Sequence, residues 1–276
     1  MKKSPIRFLL PALAVCIANA VPASPTAPTT NSDLPTFEIR LGAFLVSDIQ
    51  TEMRLDSLLT GRIGSNLDFE KTLGGDSSLS VFRADVDWHF ARSHEIAASW
   101  YDLKETGSRT LTESISFGDE EFPINATVES EFRTNLFKLA YGYTFNRGAR
   151  HEFTGLIGAH VLSFEASIKS NASTREPRFS VTAPLPAIGF AWTAHWSERF
   201  TTSVSLQYFG VSLDDGKYSG HFTDGLISAQ YRFGRHWGLG AGYNRFELST
   251  ELNNDNQRLT VEHKYNGLLF YIFCEF

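Results

Sequence analysis

The strongest constraint on this chain is an alternation of apolar and polar or small side chains that continues from about residue 36 to the end. Apolar side chains occupy every odd position from Phe137 to Phe145, and small or polar side chains fill the even positions between them. Residues 200–208 and 237–243 repeat the pattern. Because successive side chains of a strand point to opposite faces, this period predicts β-strands, and long helical patterns are absent.

The alternating runs extend over about 12 to 20 residues, whereas strands of soluble sheets usually have five or six. A tilted strand crosses a bilayer with about 9 to 11 residues. The connections alternate in length along the chain. The short ones are 91–94, 146–151, 195–199 and 233–236, and the long ones are 56–76, 104–130, 171–182, 213–220 and 252–257. Short turns on one side and long loops on the other are typical of outer-membrane barrels.

The sequence therefore predicts an all-β fold, a closed antiparallel up-and-down transmembrane β-barrel of ten strands, with eight and twelve as the alternative counts. The predicted crossings are about 36–54, 77–91, 94–106, 131–146, 151–170, 181–195, 199–213, 219–233, 236–250 and 258–275. The strand count is ambiguous at residues 56–76, which form either a hairpin above the membrane or extra crossings. A further hairpin near 108–130 is expected to extend the sheet. In the competing fold, a soluble β-sandwich, the aromatic faces of 137–145 and 268–276 would need a second sheet.

Three regions follow from composition. Residues 1–23 read as a signal peptide, with a basic start, a short apolar run and a small-residue cleavage site after Ala23 or, alternatively, after Ala20. Residues 24–35, rich in Pro, Ser and Thr, read as a flexible periplasmic linker. Residues 36–276 form the barrel. These regions predict export through the general secretory route to the outer membrane of a Gram-negative bacterium.

The net charge and the cysteine count bear on possible binding partners and on disulfide formation. The net charge is −6, and loss of three basic residues with the signal would make it −9, which argues against nucleic acid. Cys16 lies in the signal in a poor context for lipidation. Cleavage would leave Cys274 as the single cysteine, so no intramolecular disulfide is expected.

Alternation assigns the two faces of the barrel wall. The residues expected to face lipid are Phe137, Leu139, Tyr141, Tyr143, Phe145, Val204, Leu206, Tyr208, Leu268 and Cys274. A mixed-charge lumen network is expected from Arg40, Lys138, Asp224, Gln230 and Arg232, together with Glu38 and Glu275. Buried charges need partners, so these side chains are expected to pair across a narrow interior.

The search for catalytic groups found three candidates of low specificity. His195 and Ser197 form an H-x-S arrangement similar to that of lipid A deacylases, but they lie in a short turn and lack an acid partner. Asp214-Asp215 with His221, and Asp119-Glu120-Glu121, are acidic clusters in or near long loops. No metal-ligand spacing links the histidines, so no metal, cofactor or enzymatic activity is predicted.

Several segments resemble an uncharacterised proteobacterial outer-membrane β-barrel protein family, over most of 37–276. They include LDFEKTLG (67–74), KLAYGYTF (138–145), TAPLPAIGF (182–190) and GLGAGYNRFEL (238–248). The resemblance implies a barrel in the outer membrane and no settled activity.

The last residues, YNGLLFYIFCEF, resemble the C-terminal assembly signal of outer-membrane barrels, with Tyr265, Gly267, Phe270, Ile272 and Phe276 as its elements. That resemblance implies contact with the barrel assembly machinery and periplasmic chaperones. The expected surroundings are outer-membrane lipid and lipopolysaccharide, and a monomer is favoured. The predicted role is structural, surface-interacting or that of a narrow pore. The alternative is an outer-membrane hydrolase, similar to a lipid A deacylase or a protease, that acts at the extracellular side.

Overall fold

A computed structural model describes residues 36–276 except 59, 62, 118–119, 149, 172–176, 214–217 and 254–256. The signal peptide and linker predicted at 1–23 and 24–35 lie outside these residues. The described chain forms β1 (Thr36–Ser57), β2 (Leu67–Asp68), β3 (Leu79–Ala91), β4 (His94–Thr110), β5 (Ile115–Phe117), β6 (Glu120–Phe122), β7 (Thr127–Arg147), β8 (His151–Ser170), β9 (Arg178–His195), β10 (Phe200–Leu213), β11 (Tyr218–Arg232), β12 (Trp237–Asn253) and β13 (Gln257–Glu275). Within these segments, no helix has the length and apolar character needed to cross a bilayer.

Ten long strands close into an antiparallel barrel. The order around it is β1-β3-β4-β7-β8-β9-β10-β11-β12-β13, and β13 pairs again with β1. The prediction of a ten-stranded up-and-down barrel is confirmed, and the counts of eight and twelve are wrong. Residues 56–76 add no crossing, since β2 is a two-residue strand that pairs with β1 at Glu52–Met53.

The second long loop differs from the expectation. β5 and β6 form a separate two-stranded sheet and do not extend the barrel wall. The wall is extended by β4 and β7 themselves, which stay paired as far as Thr110 and Thr127.

The chain end closes the barrel. β13 pairs with β1 from Glu38 opposite Glu275 up to Ser57 opposite Gln257. The backbone N–H of Phe276 donates to the carbonyl oxygen of Phe37 at 2.9 Å, and the N–H of Phe37 donates back to Phe276 at 3.2 Å. The last strand therefore leaves no free edge where the ends of the sheet meet.

A belt of apolar side chains surrounds the short-turn half of the barrel. On β13 it includes Leu268, Phe270 and Ile272, and the terminal Phe276 follows this strand; all four are about half exposed. Nine residues of a strand tilted by about 40° cover roughly 23 Å, which fits the apolar band of membrane barrels. Above the belt, charged side chains such as Lys264 take over the outward positions. The remaining upper strand ends and loops therefore stand beyond the membrane.

The inner wall of this half depends on small residues. A Cβ atom at Gly240 would lie 2.2 Å from the ring of Tyr271, and one at Gly238 would lie 2.1 Å from the ring of Phe273. These rings therefore lie flat against the neighbouring strand β12.

β9 has an unpaired edge above the belt, on the side that faces β10. β9 pairs with β10 only as far as Ile188 opposite Tyr208, whereas it pairs with β8 as far as Arg178. Pro184 and Pro186 lie in the stretch of β9 that has no partner on the β10 side. Proline lacks the backbone N–H that a ladder uses, so it is tolerated at such an edge.

Candidate functional site

The centre of the lumen contains a charge-balanced network formed by Arg83, Asp85, Lys138, Asp224 and Asn244, here called the central network. Arg83 donates to Asp85 at 2.9 Å and to the Asn244 side-chain oxygen at 2.9 Å. Asn244 donates to Asp224 at 2.8 Å, and Lys138 forms an ion pair with the same carboxylate. All five residues are buried. Two cations and two carboxylates from β3, β7 and β11 thus neutralise each other across the barrel.

An aromatic layer lies directly above this network. It consists of Phe44, Tyr101, Tyr265, Phe222 and Phe246, each fully buried or nearly so. The hydroxyl groups of Tyr101 and Tyr265 are 2.5 Å apart, so one of them donates a hydrogen bond to the other.

Ring contacts continue across the layer. The Phe246 ring stacks on Tyr265 at 5.1 Å between centroids and on Phe222 at 6.0 Å. Because these rings come from β1, β4, β11, β12 and β13, the layer closes the lumen from opposite walls.

The two layers contact each other. The Arg83 guanidinium lies 5.2 Å from the centre of the Tyr101 ring, and the Lys138 ammonium lies 5.3 Å from the same ring. Cations over an aromatic face are stabilised by the ring's negative potential, and more strongly where water is excluded. Network and layer are therefore in contact and form one buried seal.

A second set of ion pairs lies nearer the short turns. Arg40 pairs with Glu38 at 2.8 Å and with Asp87 at 2.6 Å, and Gln230 donates to Glu38 at 2.8 Å. Arg232 pairs separately with Glu275. The five predicted lumen residues thus fall into two levels, Arg40, Gln230 and Arg232 below and Lys138 with Asp224 in the centre.

Residues 64–77, here called the mouth segment, cover the lumen on the long-loop side. The Phe69 N–H donates to the carbonyl oxygen of Thr51 at 2.9 Å, and the Ile49 N–H donates to Ser77 at 3.2 Å. Leu67, Phe69 and Leu73 are buried, and the Phe69 ring contacts Phe132 of the wall. An apolar core therefore fills the upper barrel where a pore would need its exit.

A polar patch within the mouth contains two carboxyl groups and a histidine. Glu70 of the mouth segment accepts the Thr51 backbone N–H at 3.0 Å, and the Thr51 hydroxyl contacts His263 Nδ1 at 3.0 Å. Burial lowers the pKa of His263 to about 3, so its ring is neutral. Burial, followed by the neighbouring Glu70, raises the pKa of Glu105 to about 9.

A shallow groove of about 550 Å³, here called the outer-wall groove, lies on the outside of the barrel above the belt. Its polar lining includes Ser219, His221, Ser249 and Glu251. His221 lies opposite Ser249 in the ladder between β11 and β12, and Ser219 lies opposite Glu251. At its lower border, the exposed Tyr208 ring lies against Gly210, where a Cβ atom would come within 2.4 Å of the tyrosine oxygen.

The catalytic candidates from sequence do not form a triad in the described chain. The His195 ring contacts the Thr201 hydroxyl at 3.2 Å, and Ser197 accepts the N–H of Phe200 at 3.0 Å, so each has a structural partner. Asp119, Asp214 and Asp215 lie outside the described residues. His221 is exposed in the outer-wall groove.

The residues expected to face lipid lie on the outer face of the wall, but Val204 and Cys274 are less exposed than the others. Exposed ones are Phe137, Leu139, Tyr141, Tyr143, Phe145, Leu206, Tyr208 and Leu268. Val204 is half buried. The expectation of a lipid-exposed thiol at Cys274 is wrong, since this residue is only 6% exposed. It shares the outward parity, and it lies opposite Trp237 of β12 and Ile39 of β1 in the two neighbouring ladders.

The elements of the predicted assembly signal lie on both faces. Tyr265 and Gly267 point inward, and Tyr265 belongs to the aromatic layer, whereas Phe270, Ile272 and Phe276 are exposed outside. A Cβ atom at Gly267 would lie 2.4 Å from the Leu45 carbonyl oxygen, so this glycine permits close strand contact.

Sequence reasoning missed most of the seal. Arg83 and Asp85 stand two apart in VFRADVD, on one face of a predicted strand, and this spacing was the available signal. Glu105 and Glu70 carried no such signal, because their proximity depends on how the mouth segment folds back.

Comparisons with known proteins provide evidence on the fold. No family model matches the chain, and no curated protein matches it. The outer membrane protease OmpT from Escherichia coli is similar in structure, with a TM-score of 0.54, 14% identity, and coverage of 90% of this chain and 99% of that one. OprG from Pseudomonas aeruginosa aligns with a TM-score of 0.40 and 12% identity over 88% of this chain and 97% of its own. The likeness to OmpT shows a shared barrel architecture.

Proposed function

We propose that this chain is a non-conducting outer-membrane β-barrel that presents a folded platform at the surface of a Gram-negative cell. The belt of exposed apolar side chains supports insertion into a bilayer, and the long strand ends beyond the belt supply the platform. The observation that carries the proposal is the seal of central network and aromatic layer. Among the structural, surface-interacting and narrow-pore roles, it favours the first two.

Conductance measurements test this proposal directly. Purified, folded protein is inserted into planar lipid bilayers, with a known porin as positive control. We expect no unitary current steps from the wild type. Reproducible steps that scale with salt concentration would overturn the proposal, because ions could then pass Tyr101 and Tyr265.

The partner on the outer face is proposed to be the saccharide of lipopolysaccharide. The outer-wall groove begins at Tyr208, at the upper edge of the belt, where sugars of the outer leaflet would lie. An exposed aromatic ring beside hydroxyl, imidazole and carboxylate groups suits a sugar, since the ring packs against C–H groups and the polar groups bond the hydroxyls.

Thermal unfolding in detergent, with and without added lipopolysaccharide, tests the partner. We expect lipopolysaccharide to raise the midpoint of the wild type and to raise that of Tyr208→Ser less. Tyr231→Ser is the matched control, because Tyr231 is also an exposed outward tyrosine but lies near a short turn. Equal shifts in all three proteins would count against the groove.

A hydrolase is the second candidate, and one observation favours it. His221 and Ser249 are cross-strand neighbours in the groove, with Glu251 two residues further along β12. A serine, a histidine and a carboxylate are the groups of a nucleophilic site. Turnover of ester or peptide substrates that is lost in both His221→Ala and Ser249→Ala would establish this activity.

A further inference from the structure

Glu105 is a buried acid with no visible partner of opposite charge. It points into the upper barrel from β4, its residue is fully buried, and neither carboxyl oxygen receives a hydrogen bond within the described part of the chain. An ionised carboxylate in such a place loses its hydration without compensation, which is costly enough that the group normally takes up a proton instead.

The strongest neighbouring influence on Glu105 is a second carboxyl group. After burial itself, Glu70 of the mouth segment does most to raise the pKa of Glu105, whereas the Thr51 side chain acts in the opposite direction. Both Glu70 oxygens already face the Thr51 backbone N–H, at 3.0 and 3.2 Å. Two carboxylates can only accept hydrogen bonds, so their contact is favourable only when one of them carries a proton.

We propose that Glu105 is protonated in the closed state, that it donates this proton to Glu70, and that the resulting carboxyl pair is a pH-dependent latch holding the mouth segment over the lumen. The latch joins the wall to the covering segment, since Glu105 belongs to β4 and Glu70 to residues 64–77. Its neighbours depend on the same closure. A Cβ atom at Gly107 of β4 would lie 2.6 Å from the Leu73 carbonyl oxygen, so the segment contacts the wall closely beside Glu105.

The other charged groups of the mouth segment do not compensate the negative charge that Glu70 and Glu105 would carry if both were ionised. Asp76 and Asp68, both in the mouth segment, are acidic and oppose ionisation of the pair. Lys71 is exposed and pairs with Asp68 at 2.7 Å.

The surrounding strands offer no compensating charge either. On β13, His263 is neutral and bonds Thr51 of β1. On the outside of the wall, Arg133 of β7 pairs with Asp102, and Lys104 of β4 pairs with Glu131. Arg109 of β4 donates to the Lys71 carbonyl oxygen of the mouth segment. Within the described residues, the cations named here therefore have partners other than Glu105.

The direction of the pH effect follows from proton linkage. The pKa of Glu105 is about 9 in the closed state, against an ordinary value of 4.5. Closing the segment therefore takes up a proton between about pH 5 and pH 9, and the closed state weakens as pH rises through that window. Each pH unit should raise the ratio of open to closed segment about tenfold.

Hydrogen–deuterium exchange of the full chain, folded in detergent, measures this opening. The readout is the peptide that covers 64–77, where the Phe69 and Gly75 amides are hydrogen-bonded in the closed state. Comparison of wild type with Glu105→Gln at each pH cancels the intrinsic pH dependence of exchange. The side-chain amide that this substitution introduces can donate to Glu70 at any pH. We therefore expect the exchange rate of the 64–77 peptide in the wild type, divided by that in Glu105→Gln, to rise steadily from pH 5 to pH 9.

Two further variants make the test robust. In Glu70→Gln, the amide oxygen still accepts from Thr51 while its NH₂ group can donate to an ionised Glu105, so the pH slope should become shallower than in the wild type. Glu129→Gln, on the exposed face of β7, is the control and should keep the wild-type slope. Equal slopes in wild type, Glu105→Gln and Glu70→Gln would overturn the latch.

A bound divalent cation is the competing explanation, and chelation separates the two. We expect exchange of the 64–77 peptide at pH 7 to be unchanged by EDTA. Loss of protection in EDTA that calcium chloride restores would show that a cation, not a proton, joins the carboxylates, and would overturn the proposal.

Discussion

Replacing Lys138 with methionine measures whether the barrel interior is dry. The change keeps the length of the side chain but leaves the Asp224 carboxylate without its cation. Both side chains are less than 10% exposed. Breaking a buried ion pair by removing one partner destabilises a protein by about 3–5 kcal/mol, because the remaining charge is uncompensated.

The structure places this variant toward the lower end of that range. Asp224 keeps the hydrogen bond from Asn244 at 2.8 Å, which partly compensates its charge. Loss of the contact between the Lys138 ammonium and the Tyr101 ring removes a further stabilising interaction. We therefore expect Lys138→Met to lower the free energy of unfolding by about 3–4 kcal/mol, at least a hundredfold in the folding equilibrium.

Urea unfolding from lipid vesicles, followed by tryptophan fluorescence, measures this loss. The double variant Lys138→Met/Asp224→Leu removes both charges and should recover to within about 1 kcal/mol of wild type, because Asn244 still donates to the Gly225 carbonyl oxygen at 2.7 Å. Lys104→Met is the control, since its ion pair with Glu131 is exposed and should contribute less than about 1 kcal/mol. A loss below about 1 kcal/mol for Lys138→Met would refute the argument, because it would mean that water reaches Asp224.

Three other predictions concern the wall and its closing strand. Gly240→Val should lower the fraction of folded protein on heat-modifiability gels, because its side chain would overlap the Tyr271 ring; Gly225→Ala, where the nearest atom is 3.7 Å from the new Cβ, should fold normally. Cys274 should react with a maleimide only after unfolding, and rapid labelling of the folded barrel would contradict its burial. Deletion of Phe276 should reduce the amount of assembled protein at the cell surface, and wild-type levels would argue against a role of this residue in assembly.

The sequence predicted the barrel wall well because its period is local. Alternation between Phe137 and Phe145 reports directly which side chains face outward, and turn lengths report which strands are neighbours. Strand order, strand number and the pairing of β13 with β1 followed from those two patterns. The thiol of Cys274 shows the limit of this reasoning, since parity gives the face of a residue but not the size of its cross-strand neighbours.

The lumen was predicted only in part because pairing across a barrel is not local. Lys138 and Asp224 were both expected inside, yet their contact depends on the tilt and stagger of strands that are far apart in sequence. Glu70 and Glu105 escaped prediction altogether. Their contact requires residues 64–77 to turn back into the mouth, a path that alternation does not encode.

The unpaired edge of β9 above Ile188 bears on how barrels behave when they are crowded side by side. An open edge invites a strand from a neighbouring molecule, and such pairing propagates into aggregates. Pro184 and Pro186 remove two backbone N–H donors from this edge, so an incoming strand could not form a complete set of backbone hydrogen bonds with it. The same two residues that interrupt the wall of one molecule thereby discourage it from joining the wall of the next.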